Sequence, residues 1–463
     1  MNSHRRLRCA PIGLLAFTAL LLFIPAETYA VPSFARQQDT MCIQCHNSFP
    51  VLTDFGRQFK LTGYTLATGT SDLPPLAVML QPSFTHTAAS QPGGAAPKFG
   101  DNDNTALNQA SIFYAGRLFG PYADRIMSPE LAAFANKIGI FSQTTYDGIG
   151  KAWSWDNTEL RYADTATIAT QPAIFGFYAN NNPTMQDLWN TTPAWGFPFS
   201  GSRLAPTSAA ATLIDGGLAQ QVLGLGAYAM VANTVYLDVG GYHTLGARFQ
   251  KSVGVDPLGE AQISGVAPYW RLAYVRPIGA GTLEIGTFGL ASDTYPGRDA
   301  SEGKDRIVDV GFDTQYQLST DNHQFLAMAS YIHEQRTWKA SQALDLTERS
   351  SGNLRNFKIT LNDLYDHTYG ASLHYFLIDG AQDATLYSDS QTGSPKSDGF
   401  ILEANYLPFA NPGGPAFWPK SNIKITLQYT IYNHFDGAKT NYDGSGRNAR
   451  DNNTLYLETW IAF

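Results

Sequence analysis

From residue 76 onward the chain alternates between apolar and polar positions. Leu76, Val78, Leu80 and Phe84 fall on one face of an extended segment, and Ala77, Met79, Gln81, Ser83 and Thr85 fall on the other. Successive side chains of a strand point to opposite faces, so this is an apolar-out, small-or-polar-in strand. The pattern returns along the chain and predicts sixteen strands, over 76–88, 107–118, 136–146, 157–165, 172–179, 218–231, 234–245, 267–277, 282–293, 305–318, 323–335, 354–361, 366–378, 398–408, 421–432 and 453–463. Hairpins turn at Ala232-Asn233, between Pro277 and Gly281, and at Thr320-Asp321-Asn322. A further strand at 383–389 is an alternative reading. Connections after odd-numbered strands are long (180–217, 246–266, 379–397, 433–452), whereas most after even-numbered strands are tight, with 119–135 and 409–420 as exceptions. An even strand count puts both termini at one end, and long loops at one end with short turns at the other is the asymmetry of outer-membrane barrels. In the last segment Leu455, Leu457, Ile461 and Phe463 share a face, as a barrel-closing strand requires. A soluble sandwich ending on a strand is the rival architecture, and it leaves the loop asymmetry unexplained.

Composition agrees with the pattern. Only 15% of residues are charged, against roughly a quarter in ordinary soluble domains, while 13% are aromatic and 42 are Gly. Residues 1–30 read as a secretory signal, with Arg5, Arg6 and Arg8 before the apolar run Leu14 to Phe23 and the small-residue site Thr28-Tyr29-Ala30. Their removal takes three positive charges and Glu27 from a chain of net charge −8 and leaves −10, which excludes nucleic acid as a partner. No later stretch is apolar enough for a membrane helix, so a membrane-spanning chain of this kind must do so as a closed barrel.

Only two cysteines lie beyond residue 30. They stand in Cys42-Ile43-Gln44-Cys45-His46, the C-x-x-C-H pattern of covalent haem c attachment. Two thioethers need two thiols on one turn, and the adjacent His46 then serves as axial iron ligand. A small disulfide, a redox dithiol and half a zinc site are the rivals. Zinc would need further ligands, and none occurs before His86; a redox dithiol would want a βαβ setting, which is absent.

Between this motif and residue 75, Pro50 suits a helix start, Leu52, Phe55 and Phe59 recur at helical spacing, and Gly63 stops the run. Arg57 and Lys60 then sit near the helix C-terminus, either solvated or facing haem propionates. Residues 31–75 are too few to bury a core alone, so the segment is expected to pack against the remainder, at residues 76–463, inside the lumen or at its periplasmic mouth. The fold class is thus all-β: an outer-membrane barrel of about sixteen antiparallel strands with a short helical plug.

The residues Val31-Pro-Ser-Phe-Ala-Arg-Gln, Met41-Cys-Ile-Gln-Cys-His46 and Phe55-Gly-Arg-Gln-Phe-Lys-Leu-Thr-Gly-Tyr64 resemble the fused monohaem cytochrome–porins, whose best-known members are outer-membrane iron(II)-oxidising cytochromes. The segment Asn181 to Pro198 is also similar to a loop of such proteins. The resemblance implies one haem c held by Cys42, Cys45 and His46, oxidation of Fe²⁺ or another extracellular donor at the cell surface, and a periplasmic c-type cytochrome as acceptor. For the distal ligand, Met79 comes first, because strand alternation points it inward and Met/His ligation raises the potential. His86 falls on the opposite face, Met41 is adjacent to Cys42, and Met185 would need its loop to fold inward. No motif marks an iron(II) site; Asp101, Asp103, Asp187 and Asp436 sit in expected outer loops and suit hard cations. Exchange with another metal, mineral or shuttle, and a diffusion porin braced by a structural haem, are the competing functions.

Overall fold

The computed structural model describes residues 32–47, 50–66, 74–257, 262–409 and 422–463; the expected signal segment 1–30 lies outside them. Sixteen long antiparallel strands close into one barrel. They are β1 (Leu76–Thr87), β2 (Asn104–Arg117), β3 (Ile138–Asp147), β4 (Ala152–Ile168), β5 (Gln171–Asn180), β6 (Val222–Val231), β7 (Val235–Thr244) and β8 (Ala267–Ile278), then β9 (Gly281–Tyr295), β10 (Asp305–Ser319), β11 (His323–Thr337), β12 (Ser351–Tyr365), β13 (Tyr369–Gly380), β14 (Ser397–Tyr406), β15 (Asn422–His434) and β16 (Thr454–Ala462). A two-residue strand, Gln262–Ile263, pairs with the end of β9. β1 pairs with both β2 and β16, with Met79 opposite Ala462 and Phe84 opposite Leu457, so no edge is left open.

All sixteen expected strands are present. Their spacing differs in detail: β4 starts at Ala152, so only 148–151 join it to β3, and 383–389 forms turns rather than a strand. Both termini of the barrel lie at the end carrying the short turns, here called the turn end; the long connections hang from the opposite, loop end.

The two faces of the wall have opposite character. Leu225, Val239, Ile285 and Phe312 point outward and are each more than half exposed, whereas Arg161, Glu159, Tyr236 and Asp309 point inward and are wholly buried. A contiguous apolar belt over a polar interior is built for a bilayer and unsuited to water. The chain is a transmembrane β-barrel of the outer-membrane kind. Among the described residues no helix is long and apolar enough to cross a membrane, so the crossing is made by strands alone.

Two insertions fill the lumen. The 181–221 connection after β5, expected as an outer loop, folds inward instead: Met185, Leu188, Trp189 and Ile214 are all at or below 2% exposure. Inward carboxylates tie it down, since Leu213 N donates to Glu334 Oε2 (2.6 Å) and Ile214 N donates to Asp309 Oδ2 (2.9 Å). From the turn end, residues 32–47 and 50–66 pack against the inner wall. Tyr64 donates to Glu159 Oε1 (2.9 Å), Tyr228 donates to the Leu61 carbonyl (2.7 Å), and Arg57 donates to Gln317 Oε1 (2.7 Å). The insertions meet where Lys60 Nζ donates to the carbonyls of Met185 (2.8 Å) and Asp187.

Glycines permit two close approaches. Along β5–β7 inward tyrosine rings press against neighbouring glycines: a Cβ on Gly226 or Gly240 would strike Tyr178, one on Gly176 would strike Tyr228, and one on Gly224 would strike Tyr242, all within 2.5 Å. At the turn end, a Cβ on Gly139 of β3 would lie 1.8 Å from the Gly63 carbonyl oxygen, so plug and wall touch backbone to backbone. Gly139→Val is therefore expected to unseat the plug at a cost of about 1–3 kcal/mol. In detergent, residues 32–66 should become cleavable by added protease while the barrel keeps its heat-modifiable gel mobility; an unaltered digest would contradict the contact.

Candidate functional site

The C-x-x-C-H segment folds as a single helical turn, α2 (Cys42–Cys45), following α1 (Pro32–Gln38) and preceding α3 (Asp54–Leu61). His46 N donates to the Cys42 carbonyl (3.0 Å), which closes the turn. The expected helix start at Pro50 is corrected: Thr53 is the N-cap, its hydroxyl accepting from Gly56 N (3.1 Å), because a hydroxyl can satisfy a first-turn amide and Pro50 cannot. Gly63 does end this helix, in left-handed conformation at φ +68°. α3 presses directly on α2. A Cβ on Gly56 would lie 2.2 Å from the Cys45 carbonyl oxygen, so only glycine lets the two backbones approach this closely.

Burial sets the chemistry of the motif. His46 Nδ1 lies 3.2 Å from the Pro50 carbonyl oxygen, and burial lowers the ring's pKa to about 4. A neutral imidazole is the form that binds a metal. Burial likewise pushes Cys42 up to about 12, aided by Cys45, and Cys45 itself up to about 11. The sulfurs form no disulfide, and among the described residues no three His, Cys, Asp or Glu side chains gather around a metal-sized point.

Cys42, Cys45 and His46 line a cavity of about 560 Å³, inside the range of about 300–1,000 Å³ common for cofactor sites. Phe34, Phe59, Phe113, Phe141 and Trp195 give it flat apolar walls. Met79, at 5% exposure, faces the lumen and lines the same cavity, as does Met41. His86 faces outward and pairs with Asp103 (2.7 Å), away from the site. Met185 is buried by the inward loop but is not among the lining residues.

No protein-family model matches the chain, and no curated protein matches it. Similar solved structures are the outer-membrane channel DcaP of Acinetobacter baumannii (10% identity, 84% of this chain and 96% of that one, TM-score 0.44) and an anion-selective porin from Comamonas acidovorans (10%, 84% and 98%, TM-score 0.43). A loop-deletion mutant of OmpT, an outer-membrane protein of Vibrio cholerae, is similar at 9% identity, 84% and 98% coverage and a TM-score of 0.42. The likeness is one of overall shape alone.

The basic residues of α3 are neither solvated nor loose, contrary to one of the expectations for them. Arg57 is held by Gln317, the Leu52 carbonyl (2.9 Å) and Asp54. Lys60 reaches the cavity wall with its Nζ 4.9 Å from the Trp195 ring centroid, and burial, with Arg161 nearby, lowers its pKa to about 7. The acidic residues proposed for hard cations also sort differently. Asp187 is buried in an ion pair with Arg271 (3.0 Å), and Asp436 is buried against Ser208, Ala209 and Ser397; neither offers an open face. Asp101 and Asp103 remain on the surface. Sequence reasoning did not reach Trp195, which sits in an expected outer loop, or Trp460, although the alternation that turns Leu457 and Ile461 outward puts Trp460 on the inward face.

Proposed function

We propose that this chain is an outer-membrane electron-transfer protein in which Cys42 and Cys45 carry one haem c, His46 is the proximal iron ligand and Met79 the distal one. Its donor is extracellular Fe²⁺, and its acceptor is a periplasmic c-type cytochrome at the turn end. In this reading residues 31–75 are the cytochrome segment and 76–463 the barrel. The observation that carries it is convergence: two thiols on one turn, a neutral imidazole and an inward thioether all line one flat-walled cavity of about 560 Å³. The chemistry a bound haem supplies is reversible one-electron transfer: one electron arrives from Fe²⁺, which leaves as Fe³⁺, and one departs to the carrier.

The chain's own residues hold and shield the site. The Pro50 carbonyl orients His46, Gly56 lets α3 brace the attachment turn, and Phe34, stacked on Tyr64 at 5.2 Å, walls one side. Lys60 and Trp195 close it towards the inward loop. Because the lumen is filled, small currents at most are expected in planar bilayers.

The test is optical. Adding Fe²⁺ to the oxidised holoprotein in detergent should produce reduced haem c bands, and their absence would refute Fe²⁺ as donor. In the same preparation Met79→Ala should lower the midpoint potential, since loss of a thioether ligand removes stabilisation of the reduced state; an unmoved potential would exclude Met79 from ligation.

A further inference from the structure

The cavity changes character along its length. Near the turn end its wall is Met79 of β1, Phe113 of β2 and Phe141 of β3. Further towards the loop end, on the same inward faces, stand Gln81, Gln109 and Gln143. The apolar part suits a ring system. Gln81 stands directly opposite Gln109, and Gln109 and Gln143 both donate to Ser111 Oγ (2.8 and 3.0 Å), a cluster of amides that suits something hydrated.

Beyond them lies Asp156 of β4, the one carboxylate among the residues lining the cavity. Its partners are neutral: Thr145 Oγ1 donates to Oδ2 (2.7 Å), while Gln220 Nε2 (3.1 Å) and Asn157 N (2.7 Å) donate to Oδ1. Glu159, three residues on, is instead neutralised by Arg161 at 2.6 Å. Arg203, which also lines this part, makes its ion-pair contact with Asp147 at 2.8 Å and acts on Asp156 only through space, so one cation serves two carboxylates. A carboxylate accepts about four hydrogen bonds, so three neutral donors leave Oδ2 an unused lone-pair direction and leave the negative charge uncancelled by a contacting cation.

We propose that this amide-lined part of the cavity is a binding site for a hydrated divalent cation, with Asp156 Oδ2 as its charged contact and the side chains of Gln143 and Asn157 bonding its water shell. Oxygen donors with a single carboxylate select hard or borderline dications that keep most of their water. The site rests on the reading of the cavity as a one-electron centre, and it deepens that reading by naming where Fe²⁺ waits.

Mn²⁺ is the probe, because its binding to the purified holoprotein is read by electron paramagnetic resonance without any electron transfer. Asp156→Asn, confirmed as folded by its heat-modifiable mobility, should weaken one Mn²⁺ site by at least about tenfold. Haem reduction by Fe²⁺ should slow in the same variant while reduction by a neutral hydroquinone keeps its rate. Unchanged Mn²⁺ affinity overturns the proposal, as does equal slowing with both reductants. If Mn²⁺ binding is lost in Asp156→Asn but Fe²⁺ fails to reduce the wild-type haem, the cation site stands and the donor assigned above falls.

Discussion

Arg271→Met is expected to cost the folded barrel roughly 3–5 kcal/mol, the penalty for leaving buried charge without its partner. Arg271 of β8 is fully buried and faces three carboxylates: Asp187 at 3.0 Å, Glu284 at 3.3 Å and Asp313 at 2.8 Å. Its second terminal nitrogen also reaches Asp313 (3.1 Å), and its guanidinium stacks 5.2 Å from the Trp189 ring. One cation thus joins three strands of wall to the inward loop. Burial alone would raise Asp187, but Arg271 and Lys60 hold its carboxyl below the ordinary range. Because that shift is downward, its contribution is complete at neutral pH and is lost as pH falls below the ordinary Asp value and through the lowered folded one. Urea unfolding in detergent should show the loss. Adding Glu284→Gln to Arg271→Met should recover part of it by removing one of the stranded charges. Wild-type stability in Arg271→Met would mean that the cluster is already neutral through shared protons.

The second large effect concerns pigment rather than folding. Cys42→Ala combined with Cys45→Ala is expected to give a colourless protein that retains its heat-modifiable mobility, since the strand ladder and the lumen ion pairs do not involve the thiols. Haem staining on a denaturing gel should vanish, and whole cells carrying the variant should lose Fe²⁺-dependent electron uptake. Retention of that uptake would favour a porin whose haem is a brace, and a colourless wild-type protein would end the haem reading altogether.

Much of this fold was legible because a barrel wall writes itself into the chain with a period of two. Leu76 to Thr87 showed which residues face lipid and which face the lumen, and the structure keeps that assignment through Met79 inside and His86 outside. What a period cannot show is where a connection goes. Residues 181–198 are rich in Asn, Thr and Pro, the composition of a solvated loop, yet they are buried by Arg271, Asp313 and Gln315, each a single residue on a distant strand. The solvated reading of Arg57 and Lys60 failed for the same reason: each reaches a partner more than a hundred positions away, Gln317 Oε1 for Arg57 and the Met185 carbonyl for Lys60. The start of α3 was misplaced because Pro50 and Thr53 both satisfy a helix start, and only the Thr53 hydroxyl has an amide to accept from.

The rings of Tyr178, Tyr228 and Tyr242, pressed against glycines of adjoining strands, turn β5–β7 into a laminated panel two layers thick. Such a panel resists flattening, because any shear between strands must slide an aromatic plate across the backbone beneath it.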